Sequence, residues 1–248
     1  MKLLLLILAA LVPLSPALAA EDACDPGKGL IPAEAVLSRA AAAVAERHSL
    51  DIVVLGTGSS TLPGVGGDKA AYPARLEAAL APLLPGVAVK VVPYIKARQT
   101  AAEIMDQEWR RIAEQRPALV IWQTGTVDAI KGVDPDEFRA ILDQGVEMLH
   151  AEGVDVVLMN MQYSPRTDAM ISINAYADNM RWVALQHDVP LFDRFALMKH
   201  WAETGTFDLY DASKNTNTAE RVHDCIGRLL AGLIAGAVKQ PAPAPETR

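Results

Sequence analysis

Residues 55–61 read LGTGSST and follow a short β-branched run at 51–55. The two glycines let the backbone turn sharply, which presents a serine hydroxyl, that of Ser59 or of its neighbour Ser60, at a strand end. Such a hydroxyl is a weak nucleophile until a base lies within hydrogen-bond reach. The chain offers five histidines. His48, His150 and His187 fall near the ends of predicted helices, and His200 lies in a helix beside Trp201. His223 differs in its place, because its motif ERVH, with Glu220 three residues before it, stands where the last amphipathic segment begins. A carboxylate so placed can hold one ring nitrogen and stabilise the imidazolium. The residues thus offer a strand-end serine, Ser59 or Ser60, with His223 and Glu220 as candidate base and orienting acid. A helix-surface ion pair explains the ERVH spacing as well.

Other chemistries fit the same turn poorly. A dinucleotide fingerprint needs a third glycine where Thr61 stands, and an acid at the end of the second strand, where none is found. A phosphate-cradling loop needs a lysine before its serine or threonine, and this turn has none. Metal ligation is not expected, since there is no HExxH motif. No metal or organic cofactor is needed for the chemistry that remains.

Five apolar runs, at residues 51–55, 87–92, 118–122, 154–159 and 189–192, predict buried strands. Helical patterning lies between and around them, at 34–47, 70–84, 100–114, 135–151, 174–187 and 219–238. Pro135 stands where a first-turn proline belongs. This alternation predicts an α/β protein with a mostly parallel five-stranded sheet covered on both faces. In such sheets ligands bind beyond the carboxyl ends of the strands. Those ends are residues 56–61, 93–97, 123–128 and 160–166.

Residues 1–20 carry Lys2, an apolar run at 3–12 and the small-x-small triplet at 17–19, the order of a secretory signal peptide. The apolar run is too short to span a bilayer, which takes about 20 residues, and nothing after it predicts a membrane span. Residues 21–50 read as an arm and a helix, 51–238 as one domain, and 239–248 as a disordered tail rich in proline. With 51% hydrophobic and 21% charged residues, the chain has the composition of a folded domain. Its net charge of -7, with no basic cluster, makes nucleic acid a poor partner. The two cysteines, Cys24 and Cys225, could close one disulfide between the arm and the last helix in an oxidising compartment, or stay as buried thiols.

Taken together, the ordered blocks over roughly residues 51–237 resemble the SGNH (GDSL-like) hydrolase superfamily of flavodoxin-like, three-layer α/β/α esterases and lipases. VVLGTGSST at 53–61 resembles the nucleophile block GDSx(S/T), with one extra residue after Gly56. Gly58 then stands at the usual aspartate and Ser59 at the nucleophile, with Ser60 as the fallback. LVIWQTGTVD at 119–128 resembles the strand and GxND turn of the third block, so the resemblance makes Gly125, Val127 and Asp128 that turn. Val127 replaces an asparagine that donates to the oxyanion, and Gln123 or Asn160 would have to substitute. PYIKARQT at 93–100 occupies the second block without its glycine, so an amide of Lys96 or Ala97 would serve, beside that of Ser59. ERVH resembles the DxxH that precedes the C-terminal helix, which makes Glu220 the acid beside His223, with Asp224 as the alternative.

The resemblance implies an exported, periplasmic or secreted hydrolase of an acyl ester, acetyl or another short chain, on a small molecule or a carbohydrate. Two alternatives stand beside it: a non-catalytic envelope protein that binds a glycan or partner on this fold, and an acyltransferase. Asn160, Tyr163 and Arg166 could line the substrate site or hold down their own loop. Trp122 and the scattered methionines read as core. Asp193 and Arg194 read as a helix cap and a surface charge, or as residues that steer His223.

Overall fold

The computed structural model describes residues 24–32, 35–210 and 216–239. The signal-peptide segment and the tail from residue 240 lie outside the described residues. In chain order the elements begin with α1 (Ser38–Arg47), β1 (Ser49–Gly56), a single 3-10 turn (Gly58–Ser60), α2 (Gly67–Ala70), α3 (Tyr72–Leu83) and β2 (Ala88–Ile95). They continue with α4 (Ala101–Gln115), β3 (Leu119–Gln123), α5 (Thr126–Lys131), α6 (Pro135–Ala151) and β4 (Asp155–Met159). The chain then forms α7 (Pro165–Met170), α8 (Asn174–Gln186), β5 (Leu191–Phe192), α9 (Arg194–Glu203) and α10 (Thr216–Lys239).

The five strands pair in the order β2-β1-β3-β4-β5, and every pairing is parallel. Parallel neighbours require crossovers, and the helices that make them cover both faces. Burial explains why β1 and β3 read as unbroken apolar runs. From Ile52 to Leu55 and from Leu119 to Trp122 every side chain is buried, because each strand has a helix layer on either side. β2 runs on through Pro93, past the predicted end. It pairs with β1 alone, and an edge strand tolerates a residue without a donor.

Most helix limits follow local chemistry. Thr100 caps α4, accepting from the Glu103 amide while the Glu103 carboxylate accepts from the Thr100 amide. Asp134 caps α6, with Pro135 in its first turn. The last helix departs from expectation at the point that matters most. α10 begins at Thr216 and not near residue 219, so His223 lies two turns inside it. Its inward face buries Val222, His223, Cys225 and Ile226, and it packs on α3 and α1.

The N-terminal arm is fastened to this core. Cys24 and Cys225 form a disulfide with Cα atoms 5.0 Å apart. The indole nitrogen of Trp201 donates to the Asp25 carbonyl at 2.8 Å, and Gly27 runs so close to the His200 ring that a Cβ there would lie 2.8 Å from it.

Candidate functional site

The β1 carboxyl end turns tightly. A Cβ on Gly56 would lie 2.4 Å from the Ser60 hydroxyl, so only glycine lets the 3-10 turn fold back over the strand. Ser60 is 1% exposed, and its hydroxyl pairs with the Tyr72 hydroxyl at 3.0 Å and donates to Gln123 Oε1 at 2.8 Å. Ser60 is therefore a brace of the turn and not a presented nucleophile.

Ser59 is half-buried and also points inward. Its hydroxyl donates to Gln123 Oε1 at 3.3 Å and accepts from an Arg194 guanidinium nitrogen at 3.2 Å. A second nitrogen of Arg194 donates to the Ser59 carbonyl at 3.1 Å and to Gln162 at 3.5 Å. Gly58 is the turn's exposed position. A Cβ built there would meet only the Ala97 methyl, at 3.8 Å, so the side-chain direction facing the β2–α4 loop belongs to a glycine.

Gln123, at the end of β3, is wholly buried and gathers this turn. Its Oε1 faces four donors: the amide and hydroxyl of Thr57 and the hydroxyls of Ser59 and Ser60. Its Nε2 is buried and has no hydrogen-bond partner among the described residues. Gln123 thus turns its oxygen, and not its amide nitrogen, toward the serines.

Lys96 and Asn160, two of the other proposed donors, are also committed elsewhere. The Lys96 amide donates to the Gly56 carbonyl at 2.8 Å, and its ammonium pairs with Glu108 at 2.7 Å. Asn160, 0% exposed, donates to Asp193 and accepts from the Phe195 amide, so both ends of its side chain hold the β5–α9 junction. Ala97 remains exposed on the loop. Beside it Arg98 adopts φ 65°, the left-handed conformation glycine takes without strain. Val127 is half-buried and brings no donor. In the same turn Asp128 accepts from the Ala101 amide, the Thr124 hydroxyl and the Gly125 amide, tying α4 to the third block. Burial raises its pKa in spite of these donors. Gly125, at φ 101°, would push a Cβ to 2.6 Å from the Met161 sulfur.

His223 does not serve Ser59. Its Nδ1 accepts from the Tyr72 amide at 3.0 Å, and no hydrogen bond joins it to Ser59, Ser60 or Glu220. Burial, aided by the Arg194 charge, lowers its pKa to about 3, so the ring is neutral. A neutral ring whose Nδ1 accepts carries its proton on Nε2 and has no bare nitrogen left to act as a base. Glu220 is exposed on the outer side of α10 near Arg75 and Arg221. Asp224 pairs with Arg228 at 3.1 Å. In this structure the base and acid expected from the sequence thus stand apart from Ser59, and His223 lies on the face of α10 that buries Val222, Cys225 and Ile226.

Tyr163 packs edge-on against Phe195 in the core, and Arg166 is exposed at the start of α7. Sequence reasoning missed Tyr72 altogether. It links the two halves of this region, with its hydroxyl on Ser60 and its amide on His223, and burial pushes its pKa up to about 12. Arg194 was legible only as a surface charge or a steering residue, yet it is 0% exposed.

This arrangement, a buried serine turn at the switch between β1 and β3 of a parallel sheet, can be compared with known proteins. Residues 23–240 match the model of the non-GDSL lipase-like family. The chain belongs to that family. It thereby falls within the SGNH-like hydrolase superfamily, and solved structures share its fold. TesA superposes with a TM-score of 0.57 at 24% identity, over 74% of this chain and 99% of that one. A variant of Axe2, an acetyl-xylooligosaccharide esterase from Geobacillus, gives 0.61 at 16% identity, over 75% and 94%. AlinE4, an SGNH-hydrolase family esterase, gives 0.50 at 26% identity, over 62% and 80%. No curated protein matches the chain. On this chain the serine turn is held by Gln123, Tyr72 and Arg194.

Proposed function

We propose that this family member binds a carbohydrate or small acyl-type ligand at the serine turn without hydrolysing it, and does so as an exported protein. The observation that carries the reading is the state of His223, neutral and with its acceptor nitrogen occupied by the Tyr72 amide. Without a base, a serine hydroxyl loses about 10²–10⁴-fold in rate. Without the side-chain donor that Val127 replaces, it loses a further factor of about 10²–10³. The exposed Gly58 adds to this, since the turn directs no hydroxyl toward the β2–α4 loop. Export is supported by the signal-like leader and by a disulfide, a bond that persists in oxidising compartments.

The second reading, hydrolysis or transfer of a short acyl group, is favoured by the esterases among the structural relatives, one of them acting on acetylated xylooligosaccharide. It requires His223 to leave Tyr72 and reach Ser59. Turnover of acetylated xylooligosaccharides and of p-nitrophenyl acetate by the full chain separates the two. The binding reading expects rates equal to those of a Ser59→Ala variant. Turnover that disappears in both Ser59→Ala and His223→Ala variants would overturn it.

A further inference from the structure

Arg194 is a fully buried guanidinium that no carboxylate among the described residues neutralises. Its neighbours are neutral: the Ser59 hydroxyl and carbonyl, the Gln162 amide, the Tyr72 ring at 5.8 Å and the neutral His223. Its Nε is buried without a partner. The nearest acid in sequence, Asp193, is spent on Arg181, Asn160 and the Ala196 amide. Arg194 also opens α9, where the helix dipole is positive and a cation is least welcome. Burying an uncompensated charge is strongly unfavourable, and folded proteins ordinarily pair such groups. This site is one anion short.

The Ser59 hydroxyl can carry that charge to a ligand. Gln123 Oε1 has two lone pairs and four donors, and the Ser59 contact is the longest of the four at 3.3 Å. Turning the Ser59 proton away leaves Oε1 fully satisfied. Ser59 Oγ still accepts from Arg194, which polarises its O–H bond and makes it a stronger donor. The same contact occupies a lone pair on Oγ and weakens it as a nucleophile. Ser59 is half-buried while Arg194 is sealed, so Ser59 is the member of this relay that keeps contact with the surface, and its hydroxyl reaches a ligand by turning its proton away from Gln123.

We propose that the ligand presents a single carboxylate to the Ser59 hydroxyl, with Arg194 as the buried counter-charge behind it. The proposal rests on the binding reading and deepens it by naming the ligand's chemistry. One uncompensated positive charge matches a monoanion, whereas a phosphate dianion would need a second cation. The nearest candidate, Lys96, is already paired with Glu108. A free short-chain acid and an acidic sugar share this chemistry.

The test uses the full mature chain and follows binding by calorimetry and thermal shift at constant ionic strength. Acetate and glucuronate are compared with neutral acetamide and with inorganic phosphate. A carboxylate should bind and raise the melting temperature, while acetamide and phosphate leave it unchanged. Response to acetate identifies a free acid, and response to glucuronate alone an acidic sugar. Ser59→Ala should weaken that binding at least tenfold, and Arg194→Met should abolish it. If Arg194→Met does not fold, the wild-type ligand series and Ser59→Ala decide. The proposal is overturned if acetamide binds as well as acetate, if only phosphate binds, if no carboxylate binds, or if Ser59→Ala binds as tightly as wild type. Ester turnover would sink the binding reading itself, a result distinct from a missing carboxylate response.

Discussion

Replacing Cys24 and Cys225 together by serine is expected to lower the melting temperature by about 10 °C. The disulfide joins residues 201 apart in sequence, so it removes a very large loop from the unfolded ensemble. In the chain-entropy description such a loop is worth about 5 kcal/mol, and native disulfides deliver about 2–5 kcal/mol when lost. The measured value should fall inside that range and below the full loop term. The reason is local: the arm is also held by the Trp201 bond to Asp25 and by the packing of Gly27 on His200. Both cysteines are buried, at 3% and 2% exposure, so their loss also disturbs packing at the α10 surface. Scanning calorimetry with and without dithiothreitol checks this. The wild type should fall to the level of the double variant on reduction, and the variant should not respond. A drop of less than about 2 °C would mean that the arm is held by packing alone.

Below pH 6.5 the protein should lose stability because of one buried ring. His223 titrates near 6.5 when unfolded, and burial lowers that to about 3 in the folded state. Between these values the unfolded chain binds a proton that the folded chain does not. The stabilisation from a neutral His223 is therefore complete above pH 6.5 and is lost progressively as pH falls toward 3. At about 1.4 kcal/mol per pH unit, the loss by pH 4.5 is about 2–3 kcal/mol. Asp128 and Asp155 act in the other direction. Burial raises their pKa values, so they favour the folded state more as pH falls through their own titrations. His223→Gln isolates the histidine, because its carbonyl can still accept from the Tyr72 amide while it takes up no proton. Urea unfolding at pH 7 and pH 4.5 should show the variant gaining about 2–3 kcal/mol relative to wild type on acidification. Parallel pH profiles would place the ring in water, free to serve as a base.

How far the sequence reached depends on which forces set each feature. β1, β3 and β4 were legible because strands sealed on both faces must be apolar throughout, and their runs are. β5 shrinks to Leu191–Phe192, and α7 went unread, since such short elements carry too few residues for a period to show. The serine turn was found from its glycines, whose freedom the structure uses at Gly56. The direction each side chain takes in that turn was not legible. Ser59, Ser60 and Gln123 come together across β1 and β3, and nothing local encodes a contact 63 or 64 residues away. His223 lies on the inward face of α10, which packs on α3 and α1, and a four-residue motif does not encode which face a helix buries. Arg194 was hidden for the opposite reason: an arginine after an aspartate cap reads as a surface charge, and only the fold seals it behind Ser59.

The central claim is that the serine turn binds without forming an acyl-enzyme, and an activity-based label tests it most directly. The full mature chain, folded and with its disulfide intact, is treated with a fluorophosphonate probe, and its peptides are mapped by mass spectrometry. The account predicts no adduct on Ser59 or Ser60 under conditions that label a known serine esterase to completion. An adduct on Ser59 that vanishes in His223→Ala would contradict it, because it would require the ring now held by Tyr72 to act as a base.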